Sequence, residues 1–131
     1  MTQNEKYLLL QDLSSRLPYR VKISVNDKVE SLQGINILDN VVEYGSFLSS
    51  NIEEVRPYLF PLSSMTEEQK KEYHHIVNYI SPDDTENLAE GEFVYVNQIE
   101  QLLHFYYKNH LDYRGLIPMG LANDATGLNI Y

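Results

Sequence analysis

The chain has 131 residues, a net charge of −9 and no cysteine. This length fits one domain, residues 1–131. The missing cysteines exclude disulfides, thiolate catalysis and cysteine-ligated zinc. The negative charge disfavours binding to nucleic acid or to an anionic membrane surface. Because the first residues carry only a four-residue apolar run, no signal peptide or membrane span is predicted, and we expect a soluble cytoplasmic protein.

The first part of the chain predicts a helix followed by an antiparallel meander. Apolar residues spaced by three and four predict a helix over residues 2–17, with Tyr7, Leu10 and Leu13 on its apolar face. Alternation predicts a strand over residues 21–25, and Asn26-Asp27 suits a tight turn. Two more strands are predicted, over residues 29–38 with a bulge at Gly34, and over residues 41–44.

The second part predicts two helices separated by a loop. One helical turn over residues 52–55 precedes a buried extended connector that contains Tyr58 to Leu62. The spacing of Thr66 and Gln69 predicts a capping box that starts a helix ending near Ile80. Residues 81–92 are predicted as a mobile loop and residues 93–96 as a short strand. Asn97 is predicted to cap a last helix, to about residue 109, whose apolar face includes Ile99, Leu102, Leu103 and Tyr106.

These elements predict an α+β fold. It has an N-terminal helix, a small antiparallel sheet of three or four strands, two further helices and an ordered C-terminal strap. The strap, residues 110–131, carries apolar side chains that must be covered, and either the core of the same chain or a second copy would cover them. The apolar residues are Leu116, Ile117, Met119, Leu121 and Ile130.

A search for catalytic motifs predicts no catalytic residue, no metal ligand set and no cofactor. The six glycines lack the close spacing of a phosphate-binding loop or a dinucleotide fingerprint, and no GxSxG elbow is present. His74 and His75 are adjacent, so on a helix they point about 100° apart and do not form a metal pair. We therefore expect a protein that is not an enzyme.

Four residues in the strap form a candidate binding group: His110, Asp112, Tyr113 and Arg114. Arg114 is the sole Lys or Arg in residues 109–131. One interpretation is that Arg114 pairs with Asp112, Asp124 or the terminal carboxylate and pins the strap. The other is that Arg114 and Tyr113 bind an anion or a partner's carboxylate. His110, close to a helix C-terminus, is expected to be a cation that the helix dipole favours.

Three strings resemble a family of small uncharacterised proteins found in gut anaerobes, their prophages and their mobile elements. The strings are DLSSRLPYRVK, RPYLFPLSSMTEEQ and HLDYRGLIPMGLANDATGLNIY. The resemblance covers roughly residues 5–25, 52–72 and 97–131. The family has no known activity, so the resemblance implies an accessory or host-interaction role rather than a mechanism.

Three functions remain open from the sequence. The first is a non-catalytic accessory or protein-interaction domain, which the 11 tyrosines and the acidic composition favour. The second is an acidic mimic of nucleic acid, because no Lys or Arg lies between Lys71 and Lys108 while six acidic residues lie within residues 83–100. The third is a small enzyme with a pocket formed by His104, His110, Asp112 or Arg114.

Overall fold

A computed structural model of the protein describes residues 1–78 and 88–131, the side chains of residues 88–96 excepted. The described part of the chain contains three α-helices and one six-stranded mixed sheet. The helices are α1 (Gln3–Arg16), α2 (Glu67–Val77) and α3 (Leu88–Lys108). The strands are β1 (Lys22–Val25), β2 (Lys28–Asn36), β3 (Val41–Tyr44), β4 (Leu48–Asn51), β5 (Val55–Leu59) and β6 (Asn123–Asp124). Their order in the sheet is β4-β3-β2-β1-β5-β6.

Helix α1 forms where it was predicted and buries Leu10 and Leu13 as expected, but Tyr7 lies outside the buried face and two charged residues lie on it. Thr2 and Glu5 form a capping box at its start. Leu9, Leu10 and Leu13 are buried against the sheet, together with Asp12 and Arg16. Tyr7 is 69% exposed, so the prediction that it lies on the apolar face is wrong. The buried face is therefore partly charged, a feature that an apolar periodicity does not reveal.

The β1-β2-β3 meander confirms the prediction closely. Asn26 and Asp27 both have positive φ, 52° and 63°, as the tight turn between β1 and β2 requires. The register of β2 on β3 shifts between Leu32 and Gly34, which is the predicted bulge. Because the bulge adds one residue, Leu32 and Ile35 both pair with residues whose side chains are buried, although they are three positions apart.

The sheet has more strands than the three or four predicted, and it is not purely antiparallel. Strand β5 starts at Val55, the last residue of the predicted helical turn, ends inside the predicted connector and pairs antiparallel with β1. The strap supplies β6, which runs parallel to β5 with Tyr58 opposite Asn123. Pro57 lies inside β5, a position where proline is uncommon because it cannot donate to a ladder.

Helix α3 corrects the prediction for residues 88–97. The expected loop up to residue 92, the strand over residues 93–96 and the cap at Asn97 are replaced by one continuous helix from Leu88. A short apolar run fits either a strand or a helix, and here the helix is formed. Residues 79–87 lie outside the described part, and with them the predicted helix end near Ile80 and most of the loop. The capping box at Thr66 and Gln69 is confirmed.

Two groups of buried side chains hold the fold together. The larger lies between α1 and the sheet and is completed by residues of the strap. The smaller joins α2 to α3 through Ile76, Phe105 and Leu111. On α3, Phe105 is fully buried, whereas Ile99, predicted on the apolar face, is 57% exposed. Within the described residues, no helix combines the length and the hydropathy needed to span a membrane.

Candidate functional site

The strap, residues 110–131, packs along the sheet, and its last residue contacts strand β1. Leu116 and Leu121 are buried in the larger core, so the same chain covers them. The backbone N–H of Ala125 donates to the carbonyl of Leu59 beside β6. The hydroxyl of Tyr131 donates to the carbonyl of Tyr58 and accepts from the N–H of Lys22. The strap therefore fastens to both β5 and β1.

A buried carboxylate shared by two arginines joins α1 to the strap. Arg16 Nε lies 2.8 Å from Asp12 Oδ2, and Arg114 Nη1 lies 2.7 Å from Asp12 Oδ1. The side chains of Asp12 and Arg16 are fully buried. Arg16 Nη2 also donates to the carbonyl of Leu111. The prediction that Arg114 pairs with Asp112, Asp124 or the terminal carboxylate is therefore wrong, since its partner lies 102 residues away in sequence.

Asp112 stabilises the backbone of the strap instead of pairing with Arg114. Its two carboxylate oxygens accept hydrogen bonds from the N–H groups of Leu116 and Ile117, at 2.8 and 2.9 Å. Asp112 is buried. Buried backbone donors need such acceptors, so this side chain fixes the turn that begins after Tyr113.

Tyr113 lies among aromatic rings and arginines. Its ring stacks on Tyr106, with centroids 4.8 Å apart, and the Arg114 guanidinium carbon lies 4.8 Å from its centroid. Its hydroxyl lies 3.0 Å from that of Tyr107. Burial and this hydrogen bond raise the pKa of Tyr113. Burial also acts to raise the pKa of Tyr107, but the bond to Tyr113 and the charge of Arg114 outweigh it and lower that pKa. Either hydroxyl can be the donor in this bond, which links α3 to the strap.

His110 is neutral, which corrects the prediction of a cation at the helix end. Burial, and next the positive charge of Arg16, lower the pKa of His110 to about 4. The residue has a φ of 55°, and the backbone bonds around it are those of a Schellman helix end, where glycine is usual. Its ring stacks on Tyr131 at 3.7 Å between centroids. A glycine at this position would lack the stack on Tyr131.

The four predicted binding residues are thus engaged mainly within the chain. Arg16 is connected to two of the four. It shares the Asp12 carboxylate with Arg114, and its charge helps to lower the pKa of His110. An external anion would have to compete with Asp12 for Arg114. The binding role of His110, Asp112, Tyr113 and Arg114 stays a prediction.

The surroundings of His104 and a cavity near the start of the strap are two separate features of this region. His104 Nδ1 lies 2.7 Å from the hydroxyl of Tyr19. A cavity of about 220 Å³ lies near the start of the strap, and neither His104 nor His110 lines it. Its lining is Phe60, Ser64, Thr66, Gln69, Asn109, Leu111, Thr126 and Gly127. In the part of the chain whose side chains are described, no three His, Asp or Glu residues are grouped as metal ligands.

A second region, the hairpin tip (residues 45–48), exposes its apolar side chains, whereas the strap buries Leu116 and Leu121. Phe47 lies in the turn between β3 and β4, has a φ of 68° and is fully exposed. Leu48 beside it is 51% exposed. The tip borders a groove of about 620 Å³ lined by Gln33 and residues 43–49. The groove lies at β4, the end strand of the sheet.

Sequence reasoning missed the hairpin tip. The signal available was an aromatic residue directly after Gly45-Ser46, since a turn places its side chains toward solvent. Comparisons of the chain with protein-family models, with curated proteins and with solved structures find no match. Any proposal about the function of this chain therefore rests on its own sequence and geometry.

Proposed function

We propose that this protein is a non-catalytic protein-interaction domain that docks on its partner through the hairpin tip. The observation that carries the proposal is the state of Phe47. A bulky side chain with positive φ is strained by roughly 1–2 kcal/mol, and Phe47 obtains no compensating burial within the chain. Phe47 thus combines an unfavourable backbone angle with an exposed aromatic ring. Burial of the ring by a partner would supply the stabilisation that the chain itself does not provide.

The surroundings of Phe47 fit such a role. Aromatic residues at the centre of an interface supply much of its binding energy, and the adjacent groove and Leu48 extend the apolar area. The resemblance to proteins of prophages and mobile elements favours an accessory role for the interaction. The net charge of −9 supports a protein partner over a nucleic acid or an anionic membrane.

Two alternatives receive less support. An acidic mimic of nucleic acid would need the carboxylates of residues 83–100 on one face, and most of these side chains lie outside the described part. Self-association to cover the strap is less needed, because Leu116 and Leu121 are already buried in the same chain. Met119, which is 46% exposed, remains as an apolar residue of the strap that a second copy would cover.

The test is site-specific photo-crosslinking in cells that encode the protein. Benzoyl-phenylalanine replaces Phe47 in one variant and Tyr7, an exposed aromatic on α1, in the control. We expect one discrete protein to crosslink from position 47 and not from position 7. The purified partner should then bind Phe47→Ser about 30-fold more weakly than the parent and bind Tyr7→Ser unchanged. The same crosslinks from both positions, or binding that Phe47→Ser does not change, would contradict the proposal.

A further inference from the structure

The cavity of about 220 Å³ lies where the start of α2, the end of α3 and the strap meet, and none of its described lining residues is charged. Phe60 and Leu111 form the apolar part of its wall. Apart from its chain neighbours, nothing lies within 4 Å of the Cβ position of Gly127, so the space beside this backbone is open. An ion that entered the cavity would lose water without gaining a counter-charge, so the cavity favours an uncharged ligand.

Two carboxamides in the wall keep hydrogen-bonding capacity that the fold does not use. Gln69 Nε2 donates to Asn109 Oδ1 at 3.2 Å, and Asn109 Nδ2 donates to the carbonyl of Phe105 at 2.9 Å. Each amide nitrogen has two hydrogens, so one remains on each, and Asn109 Oδ1 keeps a lone pair. Gln69 and Asn109 are both half-buried. A carboxamide on the ligand complements them, because it donates and accepts in the same plane.

Two threonines at the exposed rim of the cavity add hydroxyl groups. Thr66 Oγ1 accepts a hydrogen bond from the N–H of Gln69, so its own hydrogen is available. The Thr126 N–H donates to Asp124, but among the residues that the structure describes the Thr126 hydroxyl has no hydrogen-bond partner. Both hydroxyls can therefore donate to a carbonyl oxygen of a ligand at the rim.

The volume of the cavity limits the ligand to one substituted ring. At about 30 Å³ per water molecule, 220 Å³ holds about seven waters, less than the roughly 300–1,000 Å³ of pockets for drug-sized ligands. An aromatic ring would gain from contact with the ring of Phe60. The dipole of α2 favours an anion at this end of the helix, but Glu67 and Glu68 already supply negative charge in its first turn.

We propose that this cavity binds a small uncharged aromatic carboxamide. Its ring contacts Phe60 and Leu111, its carboxamide pairs with Asn109 and Gln69, and the Thr126 hydroxyl donates to its carbonyl. The described lining residues do not include the hairpin tip, so this site is separate from the proposed docking surface. Because the ligand contacts both helices and the strap, its binding stabilises the packed strap.

The test compares nicotinamide with two charged molecules of nearly the same size, the anion nicotinate and the cation pyridin-3-ylmethylamine. Each is titrated into the full chain at pH 7 and followed by two-dimensional NMR of the backbone amides. We expect nicotinamide to bind with a Kd of about 1 mM or lower, and both ions to bind at least about tenfold more weakly. The shifted amides should cluster at residues 64–69, 109–111 and 126–127. No saturable binding of nicotinamide, equal affinity for either ion, or shifts elsewhere would overturn the proposal.

Two variants separate the ligand site from the stability of the fold. Thr126→Val removes a hydroxyl that the fold does not use, so it should melt like the parent and bind nicotinamide about threefold or more weakly. Gln69→Glu retains a capping box with Thr66 but replaces an amide donor by a carboxylate, and should weaken binding about tenfold. Ser46→Ala at the hairpin tip is the control and should bind like the parent. Unchanged affinity in both cavity variants would contradict the proposal, whatever is crosslinked from position 47.

Discussion

The strap and the hairpin tip are both rich in glycine and apolar residues, yet the fold uses them in opposite ways. Residues of the strap contact α1, β1 and β5, and Arg114 and Asp112 are partnered within the chain. At the tip, Phe47 is fully exposed and strained without an internal partner. The difference teaches that an unusual sequence can be accounted for by contacts inside the chain. The exposure and backbone strain of Phe47 have no such account, which is why we propose the tip as the docking site.

The largest expected effect comes from removing the buried carboxylate that fastens the strap. Asp12→Ala leaves Arg16 and Arg114 without their shared counter-charge, so we expect the free energy of unfolding to fall by about 3–5 kcal/mol. Urea denaturation followed by circular dichroism measures this. In the control, Glu53→Ala removes the exposed pair with Lys6 and should leave the midpoint unchanged. Similar midpoints for both variants would show that the buried cluster does not fasten the strap.

Truncation of the strap should have the next largest effect. Removing residues 124–131 deletes the Ala125–Leu59 bond and both bonds of the Tyr131 hydroxyl. We expect a loss of about 3 kcal/mol from these bonds and the aromatic contacts, and a correspondingly lower melting temperature. Leu128→Ser, at a half-exposed position, is the control and should melt like the parent. An unchanged melting temperature after truncation would show that the strap does not stabilise the fold, and it would contradict the distinction between a packed strap and an exposed hairpin tip.

Acid should weaken the strap through His110. The pKa of His110 is lowered by burial to about 4, whereas the unfolded chain has the ordinary value near 6.5. Its contribution is therefore fully present above pH 6.5 and is lost as the pH falls toward 4, because the unfolded state binds the proton first. We expect a loss of about 1 kcal/mol, reduced by the partial exposure of the ring.

The measurement is the difference in melting temperature between pH 7 and pH 4.5, for the parent and for His110→Asn. Asparagine tolerates the positive φ of this position but does not titrate, so the variant should show a smaller decrease than the parent. Identical decreases in the two proteins would mean that protonation of His110 does not contribute to the loss of stability in acid.

The smallest expected effect is a gain in stability at the hairpin tip. Phe47→Gly removes the side chain that makes the positive φ unfavourable, so we expect the free energy of unfolding to rise by up to about 1 kcal/mol while the partner binds about 30-fold more weakly. Phe47→Ala keeps the strained backbone and should show no gain, which isolates the backbone contribution. A destabilised Phe47→Gly would indicate that the ring contributes to the fold, and the contrast between the two regions would weaken.

Local signals in the sequence predicted the local parts of the fold. The alternation of β1, the Asn26-Asp27 turn and the bulge beside Gly34 each depend on neighbouring residues, and all three are observed. Strand β5 was missed because it contains a proline, and β6 was missed because its partner lies 65 residues away in sequence. Helix α3 was cut short because an apolar run of four residues fits two periods equally well.

The candidate site was less predictable, for a physical reason. Arg114 was assigned to nearby anions, but its partner Asp12 lies on α1, where the apolar pattern gave no reason to expect a buried charge. The environment of His110 likewise depends on Arg16 and Tyr131, which only the tertiary fold brings near it. For Phe47 the turn residues Gly45-Ser46 were a local signal of exposure, but its extent is set by the folded chain.

The contacts between the strap and the first elements of the chain also bear on how the molecule folds. Three hydrogen bonds of the strap close loops of 95, 102 and 109 residues, from Arg16 to Leu111, Asp12 to Arg114 and Lys22 to Tyr131. Contacts so distant in sequence slow folding, because the entropy of loop closure is lost before they form. The meander is local and can form earlier. We expect the strap to dock as a late step, and we expect α1 to lose its protection from hydrogen exchange together with the strap, as one cooperative unit.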